Sequence, residues 1–100
     1  MDQAEKRHQQ AVEGLAKRLL EKNYDAVLMG PTYCAGNLLG ELDVLAIRGE
    51  FAHYYELKIH DTYNNRKHAG EQINRVKRAF PEWNVRGIYV SVDGRIKRYR

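Results

Sequence analysis

The sequence contains little cysteine and no long apolar run, and each shortage excludes a class of protein. Its one cysteine, Cys34, excludes an internal disulfide and a metal site built from cysteines. No apolar stretch approaches the roughly 18 residues of a membrane-spanning helix. The densely charged first 22 residues lack the apolar centre of a secretory signal. We therefore expect an intracellular, cytoplasmic protein in a reducing environment.

The sequence does contain enough apolar material for one core, together with an excess of positive charge. Its 100 residues are 43% hydrophobic, so we expect a single domain spanning residues 1–100. A domain this small has no room for a cleft between two lobes, so a large substrate would lie across its surface. The net charge of +4 favours a polyanionic partner such as DNA. A basic surface is also common in domains that bind no nucleic acid.

Periodic patterns along the chain predict two helices and several strands. Apolar residues at helical spacing predict helices over residues 4–22 and 65–80. Asp61 or Asn64 is expected to cap the second helix. Strands are predicted at residues 25–29, 84–92 and 95–100, and residues 31–39 read as a loop. The predicted order is αβββαββ, an α/β fold with a central mixed sheet of about four to five strands flanked by two helices.

Residues 40–58 form the centre of this pattern, because they read as two strands joined by a tight turn. Gly49-Glu50 is a two-residue loop with glycine first, as a type II′ turn requires. Both strand faces carry apolar residues, so both faces should be covered by helices. The turn fixes a register that pairs Arg48 with Phe51, Asp43 with Glu56, and Glu41 with Lys58.

This register places two carboxylates directly opposite each other. Like charges in that position destabilise a sheet by up to about 1 kcal/mol. A site for a divalent cation explains the pair, because Mg²⁺ and similar ions bind converging carboxylates and leave room for a phosphate. Lys58 would lie beside the cation while Leu57 points into the core, a combination suited to phosphodiester hydrolysis. The alternative is a salt-bridged hairpin, with Glu41 paired to Lys58 and Glu56 to a nearby base.

Asp43, a 12-residue gap, and Glu56-Leu57-Lys58 resemble the metal site of the PD-(D/E)xK nuclease superfamily. Residues 40–46 are similar to the first active-site strand of archaeal Holliday-junction-resolvase-like and RecB-type nucleases. The resemblance implies a restriction-endonuclease-like core over residues 5–92 and Mg²⁺-dependent cleavage of DNA, with Mn²⁺ as a substitute. Asp43, Glu56 and the backbone carbonyl of Leu57 would bind the metal, and Lys58 would lie near the attacking water. Gln72 stands at a plausible place for the glutamine that many members carry on the next helix.

The sequence departs from the family pattern in two places. Leu42 occupies the position of the proline that names the motif. Family members usually have a metal-linked glutamate on the first helix, and here the choice stays open. Glu13 is adjacent to the aligned position and is favoured, while Glu5 is on the apolar stripe two turns earlier. His8 and Gln9 lie between them.

The second helix carries a basic flank that predicts contact with phosphate. His68, Gln72 and Arg75 recur along one side of its apolar stripe, and Arg66 and Lys67 add positive charge. The alternative is an ordinary solvated helix face. We expect a homodimer, because two sites could then act on two strands, as a branched junction requires. A nuclease fold that binds nucleic acid or a protein partner without turnover is the alternative function.

Overall fold

A computed structural model describes residues 2–35, 38–93 and 97–99, and within them two helices cover the two faces of a mixed sheet. The strand order of this five-stranded sheet is β1-β4-β5-β6-β7, with a separate pair β2-β3. Strands β5 and β6 run parallel and the other neighbours antiparallel, which confirms the predicted α/β class and mixed sheet. The elements are α1 (Gln3–Leu20), β1 (Ala26–Met29), β2 (Thr32–Ala35), β3 (Leu38–Glu41), β4 (Val44–Arg48), β5 (Phe51–Lys58), α2 (Tyr63–Ala79), β6 (Asn84–Ser91) and β7 (Lys97–Tyr99).

Helix α1 packs its apolar stripe against one face of the sheet. Asp2 begins the helix, because its carboxylate accepts the Glu5 N–H at 2.8 Å. Leu20, the last residue of the helix, is 66% exposed. It lies one helical step of about 100° beyond Leu19, at the edge of the stripe. The stripe and the sheet residues it meets form one core cluster of Val12, Leu15, Leu19, Val44, Ala46, Tyr55, Leu57, Ile88 and Val90.

Helix α2 covers the opposite face, so both faces are covered as predicted. Its cap is Thr62, whose hydroxyl accepts the Asn65 N–H at 3.1 Å, and the prediction of Asp61 or Asn64 is wrong. Thr62 has the extended backbone of a cap residue, whereas Asn64 is already helical. The core beneath α2 contains Leu42, Tyr54, Ile73 and Val76.

The β4–β5 hairpin has the register that its turn predicts. Arg48 pairs with Phe51, and the ladder continues to Val44 opposite Tyr55. Gly49 has a φ of +55°, as the first loop position of a primed hairpin turn requires. Asp43 follows directly beyond the last pair of this ladder, beside Glu56. The register from which the two opposed carboxylates were predicted is therefore correct.

The segment predicted as a loop, residues 31–39, instead contributes to a second hairpin formed by β2 and β3. Thr32 pairs with Glu41 in the register that also pairs Ala26 with Ile47, so β1–β2 and β3–β4 form one long, bent hairpin. The predicted pairing of Glu41 with Lys58 is wrong, because Glu41 belongs to this second ladder.

The bend of the long hairpin lies at Gly30-Pro31 and Leu42-Asp43. The Gly30 N–H donates to the Asp43 carbonyl and the Leu42 N–H to the Pro31 carbonyl, both at 2.9 Å. Gly30 has a φ of +58°, which turns the chain out of the sheet. The alternation of side chains shifts by one residue at this bend. Leu42 is therefore buried on the α2 side, although strict alternation would place it on the same face as Val44, which packs against α1.

The C-terminal part of the chain agrees with the prediction where it is described. Strand β7 pairs antiparallel with β6, as an edge strand should after a turn near residue 93. Gly94, half of the predicted Asp-Gly turn signal, lies outside the described residues. Neither described helix is long and apolar enough to cross a membrane.

Candidate metal and phosphate site

The carboxyl groups of Asp43 and Glu56 meet where strand β4 begins. The Asp43 Oδ2 atom accepts the backbone N–H of Leu57 at 2.9 Å, which fixes this side chain against β5. Glu56 is only 6% exposed, and its Oε1 accepts the Tyr54 hydroxyl at 2.9 Å. The Asp43 carboxyl lies within hydrogen-bonding reach of Glu56. The two residues that the register predicted to be opposed are therefore brought together.

The electrostatics of this pair follow from burial and from the like charge. Burial raises the pKa of Glu56 to about 8, and the hydrogen bond and negative charge of Asp43 act in the same direction. The Tyr54 hydroxyl and the Lys58 ammonium act against this rise in pKa. At neutral pH the Glu56 carboxyl is therefore largely protonated in the metal-free protein. A divalent cation bound at this pair would have to displace that proton.

His8 is the α1 side chain that contacts this pair. Its Nε2 atom lies 3.2 Å from the Leu57 carbonyl oxygen and 3.5 Å from the Asp43 Oδ2 atom. Glu13, the favoured candidate from the sequence, instead accepts a hydrogen bond from Gln9 at 3.4 Å. The position of His8 on the apolar stripe was the only sequence signal for this contact.

An open cleft of about 820 Å³ runs between α1 and the bend of the long hairpin. We call it the acidic cleft, because four carboxylates contribute to its lining. Its polar residues are Glu5, His8, Gln9, Glu13, Glu41 and Asp43. Both glutamates that the sequence offered on the first helix therefore line the same cleft as Asp43.

A second open cleft, of about 550 Å³, lies on the α2 side of the sheet. We call it the basic cleft, and it is lined by Lys58, His68, Glu71, Gln72, Arg75 and Arg78. The predicted flank of the second helix therefore lies beside Lys58. Gln72 is part of this cleft as well.

Arg66 and Lys67, the other two predicted phosphate-binding residues, do not line the basic cleft. The Arg66 guanidinium binds both carboxylate oxygens of Asp61 at 3.2 Å, and the Tyr89 hydroxyl donates to the same carboxylate at 2.9 Å. Burial, followed by the hydrogen bond to Asp61, raises the pKa of Tyr89. Arg66 and Tyr89 thus link the start of α2 to β6, because both bind Asp61. Lys67 is exposed.

The described residues contain no cluster of three or more His, Cys, Asp or Glu side chains that could by itself hold a metal ion. The donors form a chain of contacts, from His8 to Asp43 and from Asp43 to Glu56. The Leu57 carbonyl adds an oxygen donor of the kind that hard cations accept. A metal would therefore use two carboxylates and this carbonyl.

Comparison of the sequence with models of known protein families gives no match, and a search of curated proteins gives none either. The two clefts and the carboxylate pair between them are therefore the features that indicate a function.

Proposed function

We propose that this chain is a metal-dependent endonuclease that hydrolyses DNA phosphodiester bonds on a restriction-endonuclease-like fold. The observation that carries the proposal is the pair of a buried Glu56 and a half-buried Asp43, with Lys58 on the next same-facing position of β5. Such a pair costs free energy in a structural sheet but is useful as a cation site. Mg²⁺ is the expected ion, with Mn²⁺ as a substitute.

Each group in the pair has a distinct role in this proposal. Asp43, Glu56 and the carbonyl of Leu57 would hold the ion. The bound ion would neutralise charge on the phosphate and lower the pKa of a water molecule. Lys58 would orient that water or stabilise the negative charge that develops on the phosphate. The hydrogen bond from the Leu57 N–H holds the Asp43 carboxylate in position before any ion arrives.

The basic cleft supports DNA as the substrate. Lys58, Arg75 and Arg78 line it beside the carboxylate pair, so a phosphate backbone could approach from the α2 side. Contacts to phosphate position a duplex without reading its sequence. We therefore propose selection by structure, as in junction or branched DNA, by a homodimer acting in the cytoplasm. Gln72 would help to position the phosphate.

The test is cleavage of supercoiled plasmid and of a four-way junction with Mg²⁺ or Mn²⁺. Asp43→Asn and Lys58→Ala should each abolish most of the cleavage while leaving thermal unfolding cooperative. Glu82→Gln and Lys17→Ala are matched controls, because both residues are exposed and outside the two clefts. Cleavage that survives both site variants would remove this pair from the reaction.

The second candidate is a nuclease-fold module that binds DNA or a protein partner without turnover. It is favoured by the proton that the carboxyl pair holds at neutral pH and by the contact of His8 with the Leu57 carbonyl, since both complete the site without a metal. This candidate predicts salt-sensitive DNA binding and no metal-dependent cleavage. Calorimetric titration with Mn²⁺ separates the two, because only the nuclease requires the ion.

A further inference from the structure

We infer that the end of the sheet beyond α1 binds an unpaired base and the flanking phosphates of a single-stranded nucleic acid. We call this surface the arginine–aromatic patch, and it consists of Arg48, Phe51, His53 and Arg86 together with Tyr24. It lies at the turn end of the β4–β5 hairpin, whereas the carboxylate pair lies at the opposite end. The patch is therefore separate from the metal site of the proposed function, and binding to it needs no metal ion.

The strand pairing places the four sheet residues of the patch on one face. Arg48 lies opposite Phe51 across β4 and β5, and His53 lies opposite Arg86 across β5 and β6. Opposed residues share a face, and so do Phe51 and His53, which are two positions apart on one strand. Tyr55, two positions further, belongs to the core cluster beneath α1. The patch therefore continues the face of the sheet that α1 covers.

Helix α1 stops short of the patch and leaves it open to solvent. The helix ends at Leu20. The core cluster beneath it, as the described residues define it, extends to Ala46 without Arg48 or Phe51. Phe51 is 56% exposed, and Arg48 and Arg86 are exposed as well. A phenyl ring between two guanidinium groups is thus accessible to a ligand.

Tyr24, in the segment that follows α1, holds two side chains of the patch in place. Its hydroxyl lies 2.7 Å from the Nδ1 atom of His53, and the two rings meet edge to face with centroids 5.6 Å apart. The Arg48 guanidinium lies over the Tyr24 ring, 4.9 Å from its centroid, and its Nε donates to the Asn23 carbonyl at 2.6 Å. The patch is therefore largely preorganised, so binding would order few side chains.

The charges around the patch favour an anionic ligand. Burial lowers the pKa of His53, and the positive charges of Arg86 and Arg48 lower it further. Both guanidinium groups therefore act on the same imidazole, which is neutral at pH 7. Asp25 is bound to the backbone of the hairpin turn, and Glu50 in that turn is exposed. The two arginines complement a phosphate, while Glu50 opposes its approach.

A ring flanked by arginines fits a single strand better than it fits other polyanions. The β-carbon of Phe51 lies about 5 Å from that of Arg48 and about 7–8 Å from that of Arg86, its diagonal neighbour. A base can stack on the ring while the phosphates on either side of it reach the guanidinium groups. A duplex keeps its bases paired and stacked, so only an unpaired nucleotide offers a base face. Carboxylates of an acidic peptide would bind the arginines without using the ring.

The experiment is fluorescence anisotropy of a labelled thymidylate oligomer of about ten nucleotides, measured in EDTA over a range of salt concentrations. Phe51→Ala should weaken binding about tenfold, whereas Phe51→Tyr, which keeps a ring, should stay within about twofold of the parent. Arg86→Gln should lower the salt slope by about 0.7, the value for one phosphate contact to a single strand. Glu50→Gln should tighten binding, because it removes the opposing charge.

Exposed residues outside the patch provide matched controls for the ring and the guanidinium. Tyr63→Ala removes an aromatic side chain that is 71% exposed at the other end of the sheet. Arg18→Gln removes a guanidinium from the exposed face of α1. Neither loss of affinity should match that of the corresponding patch variant. An abasic oligomer of the same length keeps the phosphates without the bases, so its weaker binding should be insensitive to Phe51→Ala.

Thymidylate binding that is unchanged in Phe51→Ala, or an abasic oligomer that binds the parent as tightly, would overturn the stacked base. Displacement of the oligomer by polyglutamate at equal charge would assign the patch to an acidic protein segment instead. In the parent, the NMR signals of the His53 ring should shift as the oligomer is added, a measurement that needs no variant.

The patch and the proposed metal site can fail separately. Asp43→Asn should bind the oligomer as the parent does, because binding is measured without metal. Phe51→Ala should in turn leave Mn²⁺ binding unchanged, since Phe51 is at the other end of β5 from the carboxylate pair. A patch that binds no oligomer would therefore leave the nuclease proposal standing.

Discussion

The acidic cleft beside α1 and the basic cleft beside α2 differ in charge although they lie on opposite sides of one sheet. Four carboxylates and one histidine line the first, and a lysine, two arginines, a histidine and one glutamate line the second. Asp43 lines the acidic cleft, while Glu56 lies on the same face of β5 as Lys58, which lines the basic cleft. The carboxylate pair therefore joins two regions of opposite sign.

A stable sheet does not require this separation of negative and positive charge. A sheet held by surface ion pairs gains most when opposite charges alternate. Here the predicted Glu41–Lys58 pair is absent from the described ion pairs, and the two residues line different clefts. A cation would be drawn to the α1 side and a phosphate to the α2 side. The carboxylate pair lies where the cation from the α1 side and the phosphate from the α2 side would meet.

The largest expected effect on cleavage comes from removing one charge of the carboxylate pair. Asp43→Asn should lower the rate of plasmid nicking by about 100- to 1,000-fold, the scale seen when a group that stabilises transition-state charge is lost. The reason is that Asp43 would be a ligand of the proposed ion, and its carboxylate also accepts the Leu57 N–H. Single-turnover rates at saturating Mn²⁺ would measure the loss.

The matched control for this prediction is Glu41→Gln, which removes an equal charge from the acidic cleft but not from the pair. It should leave the nicking rate within a fewfold of the parent. Glu13→Gln tests whether the favoured glutamate of α1 acts from the wall of the cleft. An equal loss in Glu41→Gln would show that the total charge of the acidic cleft, rather than the pair, supports the reaction.

The next largest effect should come from Lys58 on the basic side. Lys58→Ala should lower single-turnover cleavage by about 100-fold, the lower end for a positioned acid–base group. The affinity for Mn²⁺ should fall far less than in Asp43→Asn, since Lys58 is not a ligand. Lys17→Ala, on the exposed face of α1, removes the same charge away from both clefts. A parallel loss of Mn²⁺ affinity and cleavage in Lys58→Ala would contradict this division of roles.

The carboxylate pair could be predicted from the sequence because it depends on features that lie close together along the chain. A two-residue turn fixes the register of β4 against β5, and side chains alternate, so Asp43 must lie beside Glu56. The element order and the two helices followed from periodicity in the same way. The flank of α2 beside Lys58 was also predictable, because its spacing determines which residues share a face.

The sequence did not predict the second hairpin or the contact made by His8. Strands β2 and β3 are short and include Gly40, and their register depends on the bend at Gly30-Pro31. That bend shifts the alternation of side chains by one residue. Leu42 and Glu41 therefore each lie on the face opposite to the one that uninterrupted alternation predicts. The contact of His8 depends on how far α1 slides along the sheet. Helical periodicity gives the rotation of a helix but not this translation.

A smaller effect concerns the stability of the metal-free protein. The pKa of Glu56 is raised to about 8 in the folded state, above its ordinary value of 4.5. The folded state therefore holds this proton more tightly than the unfolded state. Its contribution to stability is complete below about pH 4.5 and is lost as the pH rises through 8. Urea unfolding in EDTA should show a free energy of unfolding about 1–3 kcal/mol lower at pH 9 than at pH 6.

Asp43→Asn provides the control for this pH dependence. It removes the like charge that helps to raise the pKa of Glu56, so the loss of stability at high pH should shrink. Mn²⁺ added to the parent at pH 9 should restore stability, because an ion that binds only the folded state stabilises it. A free energy of unfolding that does not fall between pH 6 and pH 9 would contradict the raised pKa of Glu56.

The smallest expected effect is on DNA binding by the basic cleft. Arg75→Gln should weaken binding of a junction about fivefold and lower the salt slope by about one, because one phosphate contact is lost. Fluorescence anisotropy over a range of salt concentrations measures both quantities in an Asp43→Asn background, where cleavage is suppressed. Arg18→Gln removes the same charge from the exposed face of α1, outside both the acidic and the basic cleft. Equal losses in the two arginine variants would mean that overall charge, and not the basic cleft, attracts the DNA.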